Sequence, residues 1–268
     1  MNKIILLAIV FLSLVSISNS QKKVLFIGNS LTAGMPEIVE ALAQSKGDSI
    51  YTMQIAGSPP LDTVDNYTRE IINSKEWDYV VVQYNHQIKI LNSAIKQNSA
   101  CTQTVAYMLW GWENGNNSTL TYFEQQDKFR TIHLNSADEI KGICAPAGMS
   151  WKQARTEKPW LDLYGGDNYH PSHLGIYLTA CTFYSTFFEK SSEGATNNGL
   201  PDSTASYFQR VAASVVLDSL ETWNINEFAP NNTPKFTSPI PNTETESSLV
   251  KFEWENDEDI NSYDLQVA

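Results

Sequence analysis

Five short apolar runs punctuate the chain at residues 24–27, 50–55, 79–83, 104–109 and 143–145. Longer stretches, with apolar positions three and four residues apart, separate them. Runs that are apolar throughout, rather than alternating, predict strands buried on both faces of a parallel sheet, with helices covering each face. The helices are predicted over 37–44, 62–73, about 88–97, and 122–140. Pro36 suits a first helical turn and Gly47 suits the stop after the first of them. An apolar helix is predicted from Pro171 and Ser172 through residue 188, and an amphipathic one over about 203–222. Successive strand–helix units with right-handed crossovers give a three-layer α/β/α sandwich around a five-stranded parallel sheet.

The pattern changes after Phe228. Residues 229–246 bring Pro230, Pro234, Pro239 and Pro241 among Asn, Thr and Ser, and read as a semi-rigid linker. Residues 249–254 and 262–267 then alternate apolar and polar around a turn-like 256–259, which predicts two antiparallel strands in a short C-terminal β appendage over 247–268. The run VKFEWENDEDINSYDLQVA resembles the first strands of a fibronectin type III-like module, with Trp254 on one strand and Tyr263 on the next. It amounts to about a third of a sandwich domain, so the sequence reads as a piece of a longer protein.

At the other end, Lys3 precedes an apolar run over residues 4–15 and small polar residues ending at Ser20. This is the pattern of a secretory signal peptide over 1–20, with the mature chain starting at Gln21. The apolar run is shorter than the roughly 20 residues needed to span a bilayer. An exported protein, periplasmic or extracellular, is the expectation, with 21–228 forming the main domain. The formal charge is −12 and becomes −13 when Lys3 is removed. That sign disfavours nucleic acid and anionic membrane surfaces as partners. Cys101, Cys144 and Cys181 are an odd, widely spaced set that reads as small buried hydrophobes; a Cys101–Cys144 bridge is the alternative. None stands at zinc-ligand spacing, so no metal is expected.

The first predicted strand runs into Gly28-Asn29-Ser30-Leu31-Thr32. A Ser just past the carboxyl end of a leading parallel strand stands where open α/β sheets bind ligands. Far downstream, Asp167 and His170 lie two residues apart in Asp167-Asn168-Tyr169-His170-Pro171-Ser172. A Ser hydroxyl needs a base to take its proton, and the base needs a carboxylate to hold its tautomer. The spacing puts both partners on one tight loop before a helix. His173 reads as structural or substrate-facing, His86 as lining the pocket, and His133 as solvated on its helix. Trp110, Trp112, Trp151 and Trp160 fall near strand ends or loops on the same side, where stacking on sugar rings competes with burial.

Ser30 in FIGNSLT, and the pair in DNYHPSHLGIYLTACTFY, resemble the first and last blocks of the SGNH/GDSL-type serine esterases, in the branch bearing Gly-Asn-Ser. The resemblance spans residues 24–222 and implies a flavodoxin-like sandwich with a solvent-open site. It also implies a catalytic set of Ser30, Asp167 and His170. The oxyanion hole it implies is made by the N–H groups of Ser30 and Gly57 and by a side-chain amide. The third block departs from the family's Gly-x-Asn-Asp: an ungapped alignment makes Gln87 the amide donor, a local shift makes it Asn85, and Asn85 lies closer to the strand end. The implied activity is ester hydrolysis without a cofactor, on an acylated carbohydrate or another small ester, with removal of acetyl groups from polysaccharide favoured by export, acidity and the tryptophans. A lipase or thioesterase of the same family, and a non-catalytic glycan-binding protein, are the competing expectations.

Overall fold

The computed structural model describes residues 21–57, 63–115, 119–225, 236–238 and 253–254. The predicted signal peptide and the second predicted appendage strand, over 262–267, lie outside them. Five strands form one all-parallel sheet: β1 (Lys22–Gly28), β2 (Ile50–Ala56), β3 (Tyr79–Val82), β4 (Gln103–Tyr107) and β5 (Ile143–Ala145), in the order β2-β1-β3-β4-β5. That order is the flavodoxin-like doubly wound arrangement. The chain moves from β1 outward to β2, then returns across β1 to β3, so the direction of winding reverses between β1 and β3. Connections leave in opposite directions there, opening a crevice at the carboxyl ends of the two strands.

Among the described residues, seven helices surround the sheet: α1 (Met35–Ser45), α2 (Asn66–Asn73), α3 (Ile88–Asn98), α4 (Tyr122–Glu139), α5 (Ala147–Glu157), α6 (His173–Phe188) and α7 (Asp202–Leu217). Right-handed crossovers place α1 on one face and α2, α3 and α4 on the other. Pro36 does stand in the first turn of α1, and Gly47, at φ 76°, follows its last turn while Asp48 N–H donates to Ala43. Helix α6 is buried on nearly every side and packs against α1, α5 and α7. Its Phe183 meets Phe26 of β1 edge-on at 5.4 Å. The Thr179, Thr182 and Thr186 hydroxyls on this helix donate back to carbonyls one turn earlier, which lets these three polar side chains enter the core paired.

Helix α5 is absent from the periodicity. Its buried positions include Ala147, Gly148, Ser150 and Ala154, with Trp151 the one large side chain. A Cβ on Gly148 would lie 2.2 Å from the Leu109 carbonyl oxygen, so this helix approaches its neighbours through small residues and shows no apolar stripe. The 203–222 helix ends earlier than expected, at Leu217, and a 3-10 turn over Glu221–Trp223 follows. His133, expected in solvent, is 6% exposed and sits 2.7 Å from the Phe129 carbonyl; burial pushes its pKa down. No disulfide joins Cys101 to Cys144: the first is exposed, the second buried. Within the stretch read as linker, β6 (Phe236–Ser238) pairs antiparallel with β7 (Glu253–Trp254).

One buried carboxylate ties α6 to the start of β2. Asp48, its side chain 4% exposed, accepts from the Tyr184 hydroxyl at 2.7 Å and from Lys190 at 2.6 Å. Burial alone would raise its pKa, but the bonds from Lys190 and then Tyr184 outweigh that, and the carboxyl lies below its ordinary value. A lowered folded pKa means the contribution is present above the ordinary value of 3.8 and is lost as pH falls through the folded value. Asp48→Asn is therefore expected to cost about 1–3 kcal/mol at pH 7. Denaturant unfolding should show the gap to wild type closing as the pH is lowered below the ordinary value of 3.8.

Candidate active site

The crevice between β1 and β3 receives the loop after β1. Gly28 ends the strand at a point of close approach: a Cβ there would lie 2.3 Å from the Thr32 hydroxyl and 2.6 Å from Gln83 Oε1. Gln83, directly after β3 and 4% exposed, fastens this loop. Its Oε1 accepts from Asn29 N–H at 3.0 Å and from the Thr32 hydroxyl at 2.6 Å, and its Nε2 donates to Asn29 Oδ1 at 2.8 Å. Asn29 Oδ1 also accepts from Leu31 N–H at 3.0 Å, closing a tight turn over Ser30. The turn leaves Ser30 exposed, and its N–H has no partner among the described residues.

The second half of the site is a closed loop before α6. Tyr164 and Pro171 form an antiparallel bridge, Gly165 N–H donates to the His170 carbonyl at 2.8 Å, and Ser172 N–H donates to Leu163 at 2.8 Å. Gly166 at φ 91° and Asn168 at φ 62° flank Asp167 in the left-handed region, where Gly and Asn are the residues most easily accommodated. The carboxylate binds its own loop: Oδ1 accepts from Tyr169 N–H at 3.0 Å and His170 N–H at 2.8 Å, and Oδ2 lies 2.5 Å from His170 Nδ1. The His170 ring N–H first, then the His170 and Tyr169 backbone N–H groups, hold the Asp167 pKa down at about 2. Ser172 caps α6 with its hydroxyl oxygen, which accepts from Leu174 and Gly175 N–H. Gly175 is required because a Cβ there would lie 2.3 Å from the Leu163 carbonyl oxygen.

These two loops meet. Ser30 Oγ lies 2.8 Å from His170 Nε2. With Nδ1–H donated to Asp167, the Nε2 lone pair faces the Ser30 hydroxyl, which is the tautomer a general base needs. The side chains of His170 and Asp167 are 43% and 53% exposed, so the constellation opens to solvent.

The remaining predicted residues separate by position. Asn85 opens the 3-10 turn after β3, half-buried, with its Oδ1 buried and lacking any hydrogen-bond partner. Gln87 is buried at 2% exposure inside that turn. Gly57, at φ 139°, is placed as expected just past β2, but its N–H continues the sheet and donates to the Gly28 carbonyl at 3.1 Å. That donor is thus committed to the β1–β2 ladder. The Gly57 carbonyl accepts from the Tyr84 hydroxyl at 2.9 Å. His86 is exposed and edge-on to Tyr84, whereas His173 pairs with Asn198 at 3.2 Å. Trp110 and Trp151 are buried and stacked on each other at 4.0 Å, while Trp112 and Trp160 are exposed. Gln83 escaped the sequence reading, although a lone polar residue closing the run Tyr79-Val80-Val81-Val82 was a signal.

No family model matches this sequence, and no curated protein matches it. Among solved structures, the chain is similar to a protein described as a GDSL-like lipase from Parabacteroides merdae, with 16% identity and a TM-score of 0.46, over 61% of this chain and 94% of that one. It is also similar to Axe2, an acetylxylan esterase from Geobacillus stearothermophilus, with 16% identity and a TM-score of 0.45, over 60% of this chain and 92% of that one. At this distance the chemistry has to be read from the geometry.

The role of Gln83 is testable on stability alone. Gln83→Ala removes the partner of a backbone N–H, a carboxamide oxygen and a buried hydroxyl at once. Unfolding in urea should report a loss of about 2–3 kcal/mol, and Gly28→Ala should destabilise as well because its Cβ collides with the same groups.

Proposed function

We propose that this chain is an exported serine esterase of the SGNH/GDSL type that removes acetyl groups from carbohydrate. The observation that carries the reading is the unbroken line from Ser30 Oγ to His170 Nε2 at 2.8 Å, and from His170 Nδ1 to Asp167 at 2.5 Å. In this mechanism Ser30 Oγ attacks the ester carbonyl carbon while His170 Nε2 takes its proton. The tetrahedral oxyanion collapses as His170 returns the proton to the departing alcohol, leaving an acyl-Ser30. Water, deprotonated by His170, then releases the acid and restores Ser30. Asp167, ionised above about pH 2, orients the imidazole and offsets its positive charge throughout. Ser30 N–H, unpartnered, and the Asn85 Nδ2 amide, which follows β3 and makes no hydrogen bond among the described residues, are the oxyanion donors in this reading. Gly57 N–H, bonded to the Gly28 carbonyl, is not among them.

Acetate release from a panel of acetylated polysaccharides, alongside hydrolysis of a chromogenic acetate, tests the reading. Ser30→Ala should abolish both, and Asp167→Asn should lower kcat by about 10⁴ through the wrong His170 tautomer. A Ser30→Ala protein with wild-type turnover sinks the proposal. For the oxyanion, Asn85→Ala is expected to lower kcat by roughly 10²–10³ with KM little changed. A loss of that size on Gln87→Ala alone, in a protein of wild-type stability, would reassign the donor to Gln87.

A further inference from the structure

Four tryptophans were candidates for contact with substrate, and packing divides them. Trp110 and Trp151 lie in the core, with both indole N–H groups satisfied by Tyr169 O and Thr179 Oγ1. Trp160 is 72% exposed on the loop between α5 and α6. Trp112 is different because it is both exposed, at 42%, and rigidly mounted beside the triad. One face of its indole stacks on Tyr169 at 4.2 Å between ring centroids and 23° between planes. Tyr169 in turn stands edge-on to the His170 imidazole, with centroids 5.3 Å apart. Trp112 is therefore two ring spacings from the catalytic base.

The mounting is made by the backbone. Trp112 N–H donates to Gln125 Oε1 at 2.8 Å, and Gly111 N–H donates to Gln126 Oε1 at 2.8 Å. Glu113 N–H donates to the Asn168 carbonyl at 3.0 Å, and Arg155 donates to the Glu113 carbonyl at 3.0 Å. The Trp112 indole N–H has no partner among the described residues. A large aromatic surface held rigid in water gains nothing for folding from its open face, and its ordering cost is already met before a ligand arrives.

The geometry points to Trp112 as the platform for a neutral glycosyl ring adjacent to the one that carries the scissile ester. This rests on the glycan esterase reading and names the residue that makes it selective. A pyranose presents a flat C–H face to an aromatic ring and hydroxyls around its rim. Next to Trp112 in sequence are half-buried Glu113 and exposed Asn114, and the Glu113 N–H bond brings the backbone of exposed Asn168 alongside; Asn can accept from or donate to such hydroxyls and Glu can accept from them. An acyl chain would need an apolar trough, and these neighbours are polar. An anionic sugar is disfavoured by Asp167, by Glu113 and by the net charge of −12.

The test compares acetylated xylotetraose with phenyl acetate on wild type, Trp112→Leu and Trp112→Phe. Leu keeps apolar contact with Tyr169 but removes the aromatic face; Phe retains one. The ratio of kcat/KM for the oligosaccharide to that for phenyl acetate should fall about tenfold in Trp112→Leu, mostly through KM, and recover in Trp112→Phe. In a Ser30→Ala background, titration with unacetylated xylotetraose should quench tryptophan fluorescence, and Trp112→Leu should weaken that binding by a similar factor. An unchanged ratio, with both substrates losing equally, means that Trp112 only props Tyr169 and His170, and overturns the proposal. Wild-type enzyme that cleaves phenyl acetate but no acetylated glycan overturns the functional reading itself, and this inference with it.

Discussion

A hydroxyl and an imidazole 140 residues apart in sequence must stay within hydrogen-bond distance, and no disulfide among the described residues holds them there. Closing so long a loop costs entropy that only packing can offset. The packing that does so is the seating of α6 against β1, where Phe183 and Phe187 meet Phe26, and against α1. Helix α6 begins two residues after Pro171, so its position sets that of His170. Asp48 reinforces the far end of the same helix through Tyr184, and Lys190 just beyond it. The apolar core therefore fixes the distance between the two loops, while polar groups fix the shape of each.

Both loops of the candidate site use the same physical device. In each, one side-chain carbonyl or carboxylate oxygen collects several donors that the chain cannot satisfy in a sheet or helix. Gln83 Oε1 collects the Asn29 N–H and the Thr32 hydroxyl. Asp167 Oδ1 collects two successive N–H groups. Preorganisation of this kind lets Ser30 N–H stay unpaired in an ordered turn, because the Asn29 and Leu31 N–H groups on either side are both occupied. The carbonyls of Asn168 and Tyr169 are likewise held, by Glu113 N–H and the Trp110 indole, so the 110–113 loop braces the loop that carries the base.

The sheet could be read from sequence because strands buried on both faces are apolar throughout, and all five fell within a few residues of their predicted places. Ser30, Asp167 and His170 were legible for a different reason: their residue types and local spacing survive any distance between them. What stayed hidden was contact that leaves no period. Helix α5 packs through small residues, and α4 buries Gln125 and Gln126 because part of its inner face meets a loop rather than a sheet, while its buried His133 pairs with the Phe129 carbonyl of its own helix. Amphipathic reading assigns such residues to water. Gly57 shows the converse limit, since its position was correct while the direction of its N–H depends on how far the β1–β2 ladder extends.

Under the proposed function, the exposure of Ser30, Asp167 and His170 sets a last requirement. Electrostatic stabilisation of an oxyanion is strongest where water is excluded, yet Ser30, Asp167 and half of His170 face solvent. The protein's own described residues do not close over Ser30, so a substrate has to supply much of the cover. A small ester leaves the site wet, whereas a ligand large enough to rest on Trp112 and Tyr169 would lie across the His170 ring and displace water from it. Binding contacts remote from the ester would then raise turnover as well as affinity, because desolvation at His170 is reached only when those contacts are made. Under the proposed function the aromatic pair and the triad would act as one unit, and selectivity for a large substrate would follow from how open the site is.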